Sequence, residues 1–166
     1  EYMVMVGDEF GSYSFNPVSV KLGEYIRVVI DNSTKHRKQG QELRVNATDN
    51  QVVYLDPELV RLTLNSLLAN AYQYTTADGI IEVAAYVAGD DIVISVKDNG
   101  PGIPPDRREQ IFDAFYRSAE ARVVPGLGLG LSVVRKSMAL HGGSITVDSR
   151  EGEGSTFTIT LPIQRR

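Results

Sequence analysis

The fold class this sequence predicts is α/β, a two-layer α/β sandwich in which one mixed, mostly antiparallel sheet is covered on one face by helices. Three observations carry it. Runs of alternating apolar residues and runs of 3-4 apolar spacing are mixed along the chain without strict βαβ alternation, the pattern of one sheet layered under helices. The 166 residues, 42% of them hydrophobic and evenly spread, suit a single core, with no repeat at a period of about 20–50 residues. Nine of the 15 glycines fall between Gly100 and Gly154, where an average usage would place about four, so the second half carries the special backbone.

In chain order, residues 1–17, with Gly7, Gly11 and Pro17 among mixed apolar residues, read as a tail or the remnant of a preceding element, and residues 18–166 as the domain itself. Leu22, Tyr25, Ile26, Val29 and Ile30 share one helical face and predict a helix to about Lys38. Residues 41–47 and 51–55 are strand-length runs around a Thr48-Asp49-Asn50 turn. Asp56-Pro57 supplies an N-cap and a proline at the first helical position. Val60, Leu64, Leu67, Leu68 and Ala71 then form the apolar face of a long helix to about Thr75. Residues 80–87 and 92–97 predict a hairpin joined by Ala88-Gly89-Asp90-Asp91. A short helix starts after Pro104-Pro105 and reaches Phe112, and a longer one covers 129–141, stopped by Gly142-Gly143. Strands over 144–148 and 156–161 close the chain around a glycine-rich turn.

Composition excludes several classes of function. With 17 Lys and Arg against 21 Asp and Glu, the net charge of −4 argues against a nucleic-acid partner. The absence of cysteine rules out disulfides, thiolate zinc sites and cysteine nucleophiles, and two distant histidines, His36 and His141, leave little room for a histidine metal cluster. The longest apolar stretch is far below the roughly 20 residues of a membrane-spanning helix, and the N-terminal residues lack the layout of a signal peptide. A soluble domain is expected, with no membrane segment in this chain.

Some residues break the packing pattern. On the long helix, Ser66, Asn70, Gln73 and Tyr74 form one polar stripe, which is either a solvent face or a ligand face. The Asn70 amide oxygen suits Mg²⁺, which takes few protein oxygens together with substrate phosphates. In the strand over 92–98, Ile92, Ile94 and Val96 share a face, and Asp98 falls on the same inward parity. A carboxylate buried there requires a donor, from a local backbone turn or from a ligand such as the exocyclic amine of adenine. Guanine presents an oxygen at that place, and such a mismatch discriminates by about 10⁴-fold in favourable cases.

Gly126, Leu127, Gly128, Leu129, Gly130 and Leu131 open the next helix, where glycines let backbone amides approach a phosphate. Neither the dinucleotide fingerprint nor the P-loop fits: Leu131, Val133 and Arg135 stand where glycines are required. Phe112 and Phe115 are core residues or flank a ligand, and residues 118–125 form a polar loop, a candidate lid. His141 reads as a helix C-terminal residue favoured by the macrodipole.

In order, residues 67–75, 98–103, 112–117 and 126–131 resemble the N box, first glycine box, F box and second glycine box of the ATP-binding catalytic domain of sensor histidine kinases. That domain belongs to the GHKL superfamily, which also holds DNA gyrase, a heat-shock chaperone and a mismatch-repair ATPase. Residues 152–157 are similar to its closing glycine motif, and the resemblance spans about 18–162.

It implies a Bergerat-type sandwich with a flexible ATP lid. Asn70 ligates Mg²⁺, and Asp98 accepts from the adenine amine. Gly100, Gly102 and Ile103 shape the base pocket, Tyr74 flanks the nucleotide, and Arg117 approaches the terminal phosphate. The amides of Gly126, Leu127, Gly128, Leu129, Gly130 and Leu131 touch the phosphates, and Thr156 supports Asp98. It further implies transfer of the γ-phosphate of ATP to a histidine on a separate dimerisation domain of the parent protein, a response regulator downstream, and a cytoplasmic location in a membrane-anchored sensor. Domains of this kind mostly position the nucleotide and neutralise its charge.

Three positions depart from the family. Ser66 replaces its first asparagine, Gln73 replaces its phosphate-contacting lysine, and His36, within Thr34-Lys35-His36-Arg37, lacks the acidic neighbour and following proline of a phosphoacceptor. Two other functional classes therefore stand beside the kinase: a non-catalytic nucleotide-sensing module, and an autonomous ATPase or serine kinase of the anti-sigma type.

Overall fold

The computed structural model describes residues 13–112 and 130–164. Strand β1 (Val18–Lys21) leads directly into helix α1 (Leu22–Ser33), followed by β2 (Glu42–Asn46), β3 (Val52–Leu55) and helix α2 (Pro57–Tyr74). The hairpin of β4 (Ile80–Ala88) and β5 (Asp91–Asp98) comes next, then helix α3 (Gly130–His141), β6 (Ser144–Arg150) and β7 (Gly154–Pro162). The main sheet runs β2-β4-β5-β7-β6, parallel only between β2 and β4, and β1 pairs with β3 in a small antiparallel sheet. All three helices lie on one face of the main sheet, α1 over β4, α2 over β5, and α3 over β6 and β7. The two-layer sandwich read from the sequence is thus observed. No helix among the described residues is long and apolar enough to cross a membrane.

The strands alternate as their sequences require. Ile81, Val83 and Ala85 of β4, Ile92, Ile94 and Val96 of β5, and Phe157, Ile159 and Leu161 of β7 all point under the helices and are buried. From above, Ile26 and Ile30 of α1, Leu64, Leu67, Leu68, Ala71 and Tyr72 of α2, and Val134 and Met138 of α3 complete one continuous core. Burial of each large aliphatic side chain contributes about 1.5–3 kcal/mol. The β4–β5 turn is tight because Gly89 adopts φ +61°, which the primed hairpin turns require.

Five local expectations are revised. Residues 18–21 form a strand, because β3 offers them a partner that the local pattern does not reveal. Helix α1 ends at Ser33, where its hydroxyl turns back to Ile30 O at 2.6 Å, and only a 3-10 turn, Thr34–His36, continues it. The runs on either side of Thr48-Asp49-Asn50 do not pair with each other: β2 joins β4 across a crossover, while β3 joins β1. The stretch after Pro104-Pro105 is two 3-10 turns, Pro105–Arg107 and Gln110–Phe112, in place of a helix.

His141, fifth, is not a charged residue at an open helix end. It is buried, its Nε2 accepts from the Asp56 amide at 3.0 Å, and Phe15 stacks edge-on to it at 5.0 Å. Burial lowers its pKa from the ordinary 6.5, so the neutral ring serves as an acceptor. Residues 13–16, which the sequence assigns to a tail, pack against the same corner. The Tyr13 hydroxyl and the Asn16 amide donate to the Asp56 carboxylate, while Tyr13 and Phe15 cover Leu59, Leu62 and Val133.

Candidate functional site

Three backbone segments converge where β5 ends: the last turns of α2, the loop after Asp98 and the β6–β7 turn. Helix α2 is anchored at its far end by the Asp56-Pro57 N-cap, whose carboxylate accepts from the amides of Glu58 and Leu59. Its C-terminal carbonyls would otherwise be unsatisfied, since its last turn has no basic residue. Two side chains from the α1–β2 connection supply the donors. Buried Gln41 donates through Nε2 to the carbonyls of Tyr72 (3.0 Å), Thr75 (2.8 Å) and Thr76 (3.3 Å). Lys38 Nζ donates to those of Gln73 and Thr75, both at 2.9 Å. The predicted stripe of Ser66, Asn70, Gln73 and Tyr74 is half-buried on the turns so held, in contrast to the fully buried apolar face.

Asp98 sits on the inward face of β5 and is 6% exposed, as its parity predicts. Both proposed partners of this carboxylate were left open by the sequence, and the local turn supplies one of them: the Gly100 amide donates to Oδ1 at 2.9 Å. Burial raises the Asp98 pKa above the ordinary carboxylate value, and hydrogen bonds from the Gly100 and Ser155 amides draw it part of the way back. The carboxylate therefore retains acceptor capacity in a desolvated place. Around the α-carbon of Gly100 lie Asp98 Oδ1, Tyr74 O and Thr75 Oγ1, which a Cβ there would meet at 3.0, 3.2 and 3.5 Å. The Thr75 hydroxyl is buried without a hydrogen-bond partner among the described residues, so a polar atom beside Asp98 awaits a water or a ligand group.

The loop after Asp98 rests on the β6–β7 turn. Gly152 donates to Pro101 O at 2.7 Å, and the Ile103 amide donates to Ser149 Oγ at 2.7 Å. Two glycines make this approach possible: a Cβ on Gly102 (φ +75°) would stand 2.1 Å from Arg150 O, and one on Gly154 (φ +114°) 2.0 Å from Asp98 O.

Register corrects one site residue. Thr156 stands opposite Lys97 and Asp148, and directly opposed residues share a face, so its side chain lies on the outer face of the sheet, away from Asp98. Ser155 stands opposite Asp98 and Ser149 and is buried with them. Counting parity back from core residue Phe157 identifies Ser155 from sequence alone; counting along the glycine motif does not. Sequence reasoning also missed Gln41, Thr75 and Ser149, whose roles depend on contacts distant in the chain.

Of the F-box residues, Phe112 is buried, edge-on to Phe157 at 6.4 Å, with the Arg135 guanidinium 4.4 Å above its ring and paired to Glu109 at 3.1 Å. It is a core residue. Phe115, Arg117, Gly126, Leu127, Gly128 and Leu129, with the expected lid, lie outside the described residues; Gly130 begins α3 and Leu131 packs against the core. No group of three or more His, Asp or Glu able to hold a metal occurs among the described residues. A single neutral oxygen such as that of Asn70 suits a hard cation whose other ligands are phosphates and water.

The family described as histidine kinase-, DNA gyrase B-, and HSP90-like ATPase matches residues 55–165. Among curated proteins, sensor protein KdpD of Escherichia coli (strain K12) is 41% identical over 113 residues, 68% of this chain and 13% of that protein. Sensor histidine kinase WalK of Bacillus subtilis (strain 168) is 34% identical over 155 residues, 90% of this chain and 25% of that protein. The chain thus spans a quarter or less of the length of these two relatives. Among solved structures, full-length ShkA in complex with AMPPNP superposes with a TM-score of 0.81 at 25% identity, covering 95% of this chain and 34% of that one. The mycobacterial sensor histidine kinase MprB gives 0.72 at 27% identity, covering 92% and 100%.

Proposed function

The chain belongs to the histidine kinase-, DNA gyrase B- and HSP90-like ATPase family, as an ATP-binding catalytic domain of the sensor histidine kinase kind, and from that premise we propose that it binds Mg-ATP and donates the γ-phosphate to a histidine on a separate helical dimerisation domain. The phosphoryl group leaves ADP as the P–O bond breaks, and a P–N bond forms on the acceptor imidazole. A response regulator then takes the phosphate, and the domain works in the cytoplasm.

The observation that carries this reading is Asp98, a buried carboxylate with spare acceptor capacity at the start of a glycine-rich loop. It accepts the adenine amine, with Gly100, Gly102 and Ile103 around the base and Tyr74 at its side. Ser155 takes the supporting role that the sequence assigned to Thr156. The donor set fits Mg²⁺ held by Asn70 and by phosphate oxygens, which neutralises the charge on the transferring group. The family resemblance assigns Arg117 to the terminal phosphate and the amides of residues 126–131 to the phosphates, with Gln73 a neutral hydrogen-bonding group in place of the family's lysine.

Calorimetric titration with ATP and with GTP, each with Mg²⁺, tests this directly. ATP is expected to bind and GTP to bind more weakly. Equal affinities, or no binding at millimolar ATP, would overturn the reading. Gln73 and Ser66 favour a second one, a nucleotide-sensing module without transfer. It is distinguished by supplying the helical domain: labelled phosphate appears on that domain's histidine in the first case and only bound nucleotide is found in the second.

A further inference from the structure

Ser149 is 3% exposed and lies on β6 outside every glycine motif, yet its hydroxyl joins the loop after Asp98 to the start of β7. Oγ accepts from the Ile103 amide at 2.7 Å, lies 2.8 Å from Ser155 Oγ and is 3.1 Å from Gly154 O. A hydroxyl has one proton and two lone pairs, so one arrangement makes all three bonds, with Ser149 donating to Gly154 O, and a second makes two of them by giving up the Gly154 bond. In one, Ser155 donates to Ser149 and Ser149 donates to Gly154 O. In the other, Ser149 donates to Ser155, and the Ser155 proton is free to turn toward the pocket beside Asp98.

We propose that Ser149 is a specificity-determining positioning residue, which fixes Ile103 against the base and orients the Ser155 hydroxyl next to the Asp98 carboxylate. The second arrangement presents a donor beside an acceptor. That pair is complementary to adenine, whose amine donates and whose neighbouring ring nitrogen accepts. The first arrangement withdraws the donor, and ligand binding selects between the two by its own hydrogen-bonding pattern. The inference rests on nucleotide occupying the Asp98 pocket.

The test compares Ser149→Ala, Ser149→Thr and Val147→Ala with the wild type by titration with Mg-ATP and Mg-GTP, well below each melting temperature. Val147 lies on the same strand, facing the core, and controls for lost stability alone. Ser149→Ala is expected to weaken ATP binding about five- to tenfold and to shrink the ATP-to-GTP ratio by a similar factor. Ser149→Thr restores both, and Val147→Ala moves neither. Wild-type ATP affinity and base preference in Ser149→Ala overturn the proposal, as does a loss that Ser149→Thr fails to restore. Absence of a wild-type ATP preference would instead strike the nucleotide reading itself. Should Ser149→Ala not fold, amide exchange of the wild type decides. An Ile103 amide protected like those of the sheet supports the Ser149 bond, and one exchanging as freely as an open loop overturns it.

Discussion

Asp56 and Asp98 are both buried carboxylates at the boundary of a regular element, 1% and 6% exposed, with surroundings opposite in kind. Asp56 accepts from the Tyr13 hydroxyl at 3.0 and 2.9 Å and from the amides of Asn16, Glu58 and Leu59. Its own amide donates to His141. Donors from two separate stretches of chain close around the carboxylate, and its charge is used up in holding the corner together. Asp98 has two backbone amides and a raised pKa. The fold tolerates its desolvation without cancelling it, which is the condition of an acceptor kept for something outside the chain. Satisfaction of a buried charge, more than its burial, separates a structural carboxylate from a binding one.

Substitution at each aspartate separates stability from binding. Asp56→Ala strands the Tyr13 hydroxyl and three amides and removes the N-cap of α2. A loss of about 3–4 kcal/mol in unfolding free energy is expected, read by denaturant titration, while the fraction that stays folded binds ATP as the wild type does. A normal melting curve with lost ATP binding would dissolve the contrast.

Asp98→Asn should do the reverse. ATP binding falls by the value of a charged hydrogen bond, about 1.5–3 kcal/mol. The ligand-free protein is no less stable at neutral pH, because a carboxylate with a raised folded pKa destabilises the fold once pH climbs above its unfolded value. Calorimetry and melting curves on one preparation measure both.

The smallest effect belongs to His141. Its pKa is lowered in the folded state, so the unfolded chain binds the proton more readily, and stability is lost as pH falls below the ordinary 6.5. Melting temperatures between pH 8 and 5 should decline in the wild type and decline less in His141→Gln, which keeps an acceptor for the Asp56 amide. Parallel declines would remove His141 from the corner's energetics.

What the sequence made legible follows the range of each interaction. The Asp56-Pro57 cap, the β4–β5 hairpin and the inward parity of Asp98 all depend on residues within a few positions of one another. The pairing of β1 with β3 and of β2 with β4 depends on partners more than 30 residues apart, and no periodicity in residues 18–21 announces it. Ser155 was accessible through parity and hidden by the motif. Tyr13 and Phe15 looked like remnants because their partners, Asp56 and His141, are 43 and 126 positions away along the chain.

The raised pKa of Asp98 ties the site to the proton activity around it. A donor that completes the carboxylate favours its ionised form, so any proton held there is expelled when that donor arrives, and proton and ligand compete for one oxygen pair. Affinity for an amine-bearing base then climbs with pH until the carboxylate is ionised without help, and levels off above that point. On the proposed function, acidification is expected to loosen the ligand while it relieves the fold, so acid tolerance and the grip on a base would share one carboxylate.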